Sequence, residues 1–389
     1  MSTAVVADPD ALMGEPPAAA LPRVRARIES IDGLRGLVML LMLVDHAREF
    51  FFYGHQVSDP VDLATTSPGL FFTRLAAHLC APVFVALTGL SAWLYGANKS
   101  PADVAAFLFK RGLFLVVLEL TLVSFAWTFA FPPPTLFLQV IWAIGLSMIA
   151  LAALIRLPLA AILVVGVAIV AGHNLLDPVA FAPGEPGHAL WAVLHDRGFI
   201  ELGGGLRART SYPVLPWIGV IALGYAMGPW FAAGDDGTTR QRRLALLGSG
   251  LLAAFVVIRS INGYGEPLPW RVGATPLLTA MSFLNVTKYP PSLDFLLLTL
   301  GAGALVLAWW EGRRGGPLAV LGGAPLFFYV VHLYVLHLLA LALAWGAGDV
   351  PSVAWVWAIA AGVSVPMWWA TRWFAGVKRR SGAWWMRYL

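Results

Sequence analysis

The chain has 389 residues, 59% of them hydrophobic and only 12% charged, with a mean hydropathy of +0.75 and a net charge of +5. A soluble domain carries about 25% charged residues, so this composition excludes a water-covered globular surface and indicates a polytopic membrane protein, with its 17 Trp suited to the two interfaces. The single cysteine, Cys80, excludes a disulfide scaffold, a thiolate zinc centre and an iron–sulfur cluster, and the pI near 9.5 is read as loop Lys and Arg rather than as a nucleic-acid signal.

Residues 1–31 are Ala- and Pro-rich and lack an apolar signal-peptide core, and Arg23, Arg25 and Arg27 stand just before the first apolar run. A disordered cytosolic tail leading into a retained signal anchor is expected. A membrane span needs about 20 mostly apolar residues. Runs of that kind lie at 33–53, 70–96, 110–131, 135–155, 157–176, 211–231, 243–263, 291–310, 317–345 and 350–374. Pro132-Pro133-Pro134, Gly234 to Gly237, Pro290-Pro291 and Gly312 to Gly316 separate them, as turn-forming residues should. The predicted fold is an all-α membrane helix bundle over 32–376, of about ten transmembrane helices, with a basic cytosolic tail at 377–389. The longest loops are 177–210 and 264–290, and no internal repeat is visible.

Placing the N-terminus in the cytosol puts 17 Lys and Arg on that side and 5 on the other, with Arg35, Arg48, Arg74 and Arg259 inside spans. The bias places both termini in the cytosol, in a bacterial-type inner membrane.

Ionisable groups within spans cost roughly 2.5–3.5 kcal/mol each on insertion scales and are functional candidates by default. Asp32, Arg35, Met39, Met42, His46, Glu49 and Tyr53 alternate at spacings of three and four, so they form one stripe on the first helix. Arg35 and His46 share that face with a rise of about 16 Å between them, and Glu49 stands one turn beyond His46, where it could fix the imidazole tautomer. A helix-packing network would explain the same stripe. Further polar groups gather towards the outer half: Arg74 and His78, His173-Asn174, Arg259 and Asn262, and Asn285, Lys288, Tyr289, Ser292 and Asp294. His332 and His337 lie about 140° apart on the ninth span, too far around the helix to address one site together. Glu119 has no partner evident from spacing. Walker, Gly-x-Ser-x-Gly and His-Glu-x-x-His patterns are all absent.

The segment Ser30-Ile31-Asp32-Gly33-Leu34-Arg35-Gly36-Leu37, followed by Asp45-His46, resembles the opening of transmembrane acyltransferases, most closely bacterial relatives of heparan-α-glucosaminide N-acetyltransferase. The Arg35-x10-His46 spacing is also similar to the acyltransferase-three family. The run Leu79 to Gly89 resembles the lysosomal enzyme family's Phe-Pro-x-Phe-Val-Phe-x-x-Gly, and the segments 285–293 and 325–333 resemble later landmarks. This chain has Asp45 where the lysosomal family has Asn, and His78 where that family has Asp. The lysosomal pattern puts the catalytic histidine closer to His55, whereas the acyltransferase-three spacing puts it at His46.

The resemblance implies an acyl-CoA-dependent acyltransferase, with acetyl-CoA as the first candidate donor and a sugar or similar extracytoplasmic acceptor. Arg35 would hold the CoA phosphates. His46 or His55 would act as general base, with Glu49 or Asp45 orienting it. Arg48, Arg74, His78, Asn285, Lys288, Tyr289 and His332 would contact substrate. No metal and no nucleic acid is expected, and a homodimer is left open. The rival reading is a transporter whose interior stripe binds a polar solute; matching broken helices in two halves would favour it, and none is evident.

Overall fold

The computed structural model describes residues 28–232, 236–344 and 349–388. The predicted N-terminal tail up to residue 27 and the last residue of the basic tail lie outside them. Helix α1 (Glu29–Phe51) starts with Glu29 and Asp32 in its first turn, where carboxylates complement the helix dipole. Ser67 caps α2 (Pro68–Ala77), whose proline needs no intrahelical donor at that position. After a break at His78-Leu79, α3 (Cys80–Gly96) continues the rod. Helix α4 (Pro101–Leu118), capped by Ser100, passes through a π-helical turn at Glu119–Val123 into α5 (Ser124–Thr128), which ends at Phe129 in the left-handed region.

Strand β1 (Thr135–Leu138) precedes α6 (Val140–Leu154) and α7 (Leu159–Gly172). The segment read as a loop at 177–210 contains α8 (His188–Leu194) and strands β2 (Gly198–Gly203) and β3 (Leu206–Thr210). β3 lies between its partners, parallel to β1 and antiparallel to β2. The turn between β2 and β3 uses Gly203, Gly204 and Gly205 at φ 88, 60 and 80°, where side chains would be strained. The remaining helices are α9 (Leu215–Ala226), α10 (Gly237–Ile261), α11 (Pro276–Leu284), α12 (Leu293–Trp310), α13 (Gly316–Leu321), α14 (Pro325–Ala344) and α15 (Val353–Arg380).

Ten predicted runs thus reappear as helical segments, with three local corrections. The run 135–155 opens as a strand because the backbone of Thr135–Leu138 pairs with β3. The run 317–345 is split between α13 and α14 at Gly322-Gly323-Ala324, and the loops contain a small sheet. Among the described residues, six helical stretches are long and apolar enough to cross a membrane: Pro68–Gly96, Leu159–Leu176, Gly237–Ile261, Leu293–Trp310, Pro325–Leu343 and Val353–Arg380. The chain is a multi-pass membrane protein of all-α architecture.

Helix α1 is central, packing against α2, α3, α12, α13, α14 and α15. Close backbone approach is what allows this. A Cβ on Gly36 would stand 2.0 Å from the Leu318 carbonyl oxygen, and one on Gly322 would stand 2.0 Å from that of Asp32. The α3–α9 crossing uses the same device, with Gly89 against Ile221 and Gly224 against Ala86.

Candidate active site

The two ends of α1 carry different chemistry. At its N-terminal end a cavity of about 790 Å³ opens between α1, α3, α4 and the start of α14. Its lining includes four cations, Arg35, Arg111, Arg240 and Lys378, with Ser91 and Thr88. Arg35 is oriented by Asp32 Oδ1 at 3.2 Å and by the hydroxyl of Ser91. Arg240 is paired with Glu311, its Nε donating to Oε2 at 2.7 Å, and Ser30 donates to the other carboxylate oxygen. A basic, partly apolar recess of this kind suits a phosphorylated ligand with a long organic arm.

Near the other end, His46 faces His332 of α14. Their rings lie nearly coplanar, 7° between planes with centroids 5.0 Å apart, and meet edge to edge where His46 Nδ1 stands 2.7 Å from His332 Nε2. The hydrogen bonds determine the tautomers. His332 Nδ1 is 2.9 Å from the Phe328 carbonyl oxygen, which can only accept, so Nδ1 carries the proton. Neutral His332 then accepts at Nε2, and His46 must donate from Nδ1. His46 Nε2 is left with its lone pair available. Trp127 meets the His46 ring edge-on at 5.2 Å, and Tyr329 lies at 6.3 Å between ring centroids. The Tyr329 hydroxyl is buried without a hydrogen-bond partner.

Glu49, which the spacing assigns to orienting His46, instead pairs with Arg48 Nη2. His332 takes that role, across 286 residues of sequence. Asp45 does not hold His46 either. Its carboxylate collects Arg48 Nε at 3.2 Å, Arg74 Nη1 at 3.4 Å and Lys288 Nζ at 3.9 Å. Arg48 and Arg74 are buried and belong to this charge cluster, in which each cation neutralises the shared carboxylate. Lys288 sits in the turn before α12. Burial opposes its charge, but Tyr289 and Asp45 outweigh burial and hold it above the ordinary lysine value. Asp59, whose Oδ2 accepts from the Lys288 backbone N–H at 3.0 Å, is pushed above the usual carboxylate range by burial.

The other predicted contacts are dispersed. Asn285 engages Val61 from both ends of its amide, accepting from its N–H at 3.0 Å and donating to its carbonyl at 2.7 Å, and so clamps the loop before α2. Tyr289 donates to Tyr212 at 3.2 Å and receives the Arg197 guanidinium over its ring. His78 is buried against Phe295 with both ring nitrogens unpartnered. His55 lies on the surface in a 3₁₀ turn, its side chain 58% exposed, stacked on Phe52 and 3.2 Å from Asp349. Glu119, without a partner by spacing, accepts from the Trp142 backbone N–H at 3.0 Å and so closes the first turn of α6. The sequence reading missed Tyr329, Arg111, Arg240 and Lys378. Arg111, a cation inside an apolar helix, is the one with a local signal.

The chain matches the family model described as heparan-alpha-glucosaminide N-acetyltransferase, catalytic, over residues 27–258. The match runs from α1 through most of α10 and so includes both ends of the Arg35–His46 helix, while His332 lies beyond it. No curated protein matches the chain.

Proposed function

The chain belongs to the heparan-alpha-glucosaminide N-acetyltransferase catalytic family, and from that premise we propose that it transfers an acyl group, acetyl first, from cytosolic acyl-CoA to a hydroxyl or amine on an extracytoplasmic acceptor such as a sugar. The observation that carries this reading is the arrangement of α1. One end borders a recess ringed by Arg35, Arg111, Arg240 and Lys378, and eleven residues along the helix His46 offers a neutral, oriented imidazole. The interval is about 16 Å, a length that an extended pantetheine arm bridges.

In this mechanism the CoA phosphates dock in the basic recess and the arm runs along α1. Met39 and Met42 fill the stripe between the two ends and are buried; their thioether chains repack readily, so they would turn aside to admit it. His46 Nε2 takes a proton from the acceptor as its oxygen or nitrogen attacks the thioester carbonyl. Tyr329, with its unpartnered hydroxyl, donates to the developing oxyanion. The carbon–sulfur bond then breaks, and His46 returns the proton to the CoA thiolate. His332 holds the ring and spreads the positive charge it acquires.

Calorimetric titration of the purified protein in detergent with acetyl-CoA, beside an assay for free thiol release, tests the reading. Saturable binding with slow hydrolysis or transfer is expected. A protein that binds no acetyl-CoA and releases no thiol with any sugar or amine acceptor overturns it.

A further inference from the structure

A second cluster of ligating side chains lies apart from His46, where α7 ends and the segment leading to β2 begins. His173 and Asp177 are four residues apart at the end of α7, and His195 follows α8. One ligand atom from each lies within 4.8 Å of the others. His195 Nε2 stands 3.4 Å from Asp177 Oδ1. Tetrahedral zinc with bonds of about 2.0–2.1 Å holds its ligand atoms about 3.4 Å apart, so this pair is already at ligating separation. The His173 ligand atom lies within 4.8 Å of both, so a shift of its ring towards them would complete a three-residue face.

One buried group points to a cation. His173 is only 2% exposed, yet neither ring nitrogen has a hydrogen-bond partner. Such a group is costly to bury unsatisfied. His195 is held from both ring nitrogens: Nδ1 lies 3.3 Å from Asp196 Oδ1, and Nε2 lies 3.0 Å from the His173 carbonyl oxygen, which can only accept. The proton that Nε2 donates there is the one a metal ion would displace, at a nitrogen already 3.4 Å from Asp177 Oδ1. The Asp196–His195 pair also repeats the carboxylate–histidine–metal arrangement in which an outer carboxylate fixes the ligating nitrogen.

We propose that His173, Asp177 and His195 bind one divalent transition metal ion, of the Zn²⁺ class, with solvent completing its coordination on the exposed Asp177 side. The ion staples the segment between α7 and β2 onto the bundle. Asn174, next to His173, accepts from the Leu293 backbone N–H at 2.9 Å, and Arg197, two residues past His195, covers the Tyr289 ring at 5.0 Å. The staple therefore secures the layer that packs on the Lys288–Tyr289 turn. Imidazole and carboxylate ligands with an open position fit zinc better than calcium or magnesium, which take oxygen ligands.

The test uses the full chain in detergent, freed of its affinity tag, stripped with a chelator and titrated with Zn²⁺. One zinc per chain by elemental analysis is expected, together with a rise in melting temperature over the stripped protein. Co²⁺ should give the intense visible bands of a tetrahedral site. Asp177→Asn, at an exposed position that folding tolerates, should lose the melting shift and His195→Ala the metal. Asp196→Asn should weaken zinc about 10–100-fold. His332→Ala should keep the full metal count, which separates this cluster from the His46–His332 pair. Failure to bind zinc above the His173→Ala level, or equal zinc affinity in wild type, Asp177→Asn and His195→Ala, overturns the proposal.

Discussion

His46 is oriented by an imidazole rather than a carboxylate, and this changes what substitutions should do. His46→Ala should lower kcat at least about 100-fold, the usual worth of a general base, with acetyl-CoA still bound. His55→Ala, at an exposed turn paired with Asp349, should cost about tenfold or less. His332→Ala removes the acceptor of the His46 proton, a loss of about 1–3 kcal/mol, or roughly 5–150-fold in kcat. His332→Gln offers an amide oxygen in its place and should restore part of the rate. Steady-state kinetics of the four variants beside acetyl-CoA binding decide the matter; a dead His55→Ala with a near-normal His46→Ala would transfer the base to His55. In the proposed mechanism Arg35 acts in donor binding rather than in the chemistry. Arg35→Ala should raise the acyl-CoA KM while kcat stays within a few-fold, because contact with a phosphate remote from the chemistry is uniform binding. Arg35→Lys should recover only part of the affinity, since a point charge lacks the guanidinium fork. Unchanged KM in Arg35→Ala would remove it from the docking role.

At the scale of helices, glycine sets how closely α1 and α3 can be approached, and hence where His46 and the basic recess stand. Gly224 has no space for a side chain, because a Cβ would lie 2.0 Å from the Ala86 carbonyl oxygen, a backbone atom that cannot swing away. Gly224→Ala should therefore destabilise the α3–α9 pair by about 1–3 kcal/mol, as overpacking does. Thermal unfolding in detergent measures this. Gly250→Ala is the control, since nothing lies within 4 Å of a Cβ there and its melting temperature should hold or rise. A melt at the wild-type temperature for Gly224→Ala would mean the helices stand further apart. The π-helical turn at Glu119–Val123 acts at the same scale. It re-registers α5 so that Trp127 reaches the His46 ring, while Glu119 in the turn secures α6.

For the whole molecule, the topology proposed from the Lys and Arg bias has both chain ends and the Arg35 recess in the cytosol and the His46 end towards the outside. Single cysteines introduced into a Cys80→Ala background check this with membrane-impermeant maleimides. Positions 188 and 271 should label from outside intact cells. Positions 240 and 313 should label only after the membrane is opened. External labelling at 240 or 313 would invert the topology and, with it, the direction of transfer. The asymmetry matters to the proposed mechanism, in which donor and acceptor would reach opposite ends of one helix, each from its own compartment.

Local pattern was enough for the class of fold, the run of helical segments and the gathering of Asp32, Arg35, His46 and Glu49 along α1, because helical periodicity is a short-range property that residues three and four apart express directly. The family was legible in the same stretch. What periodicity could not reach is which helices touch at which depth. His46 and His332 are 286 residues apart, and only the packing of α1 against α14 brings their nitrogens to 2.7 Å. The same holds for Asp45, whose partners come from its own helix, from α2 and from the turn before α12. Nor could spacing show that Asn285 clamps the loop before α2, since its amide meets Val61 only after the chain has doubled back. The β1–β3 pairing and the His173–Asp177–His195 cluster likewise join segments remote in sequence. Local spacing determined the helices and their polar faces; tertiary packing decided the pairings, because an imidazole or carboxylate takes its role from whichever partner lies within hydrogen-bonding distance.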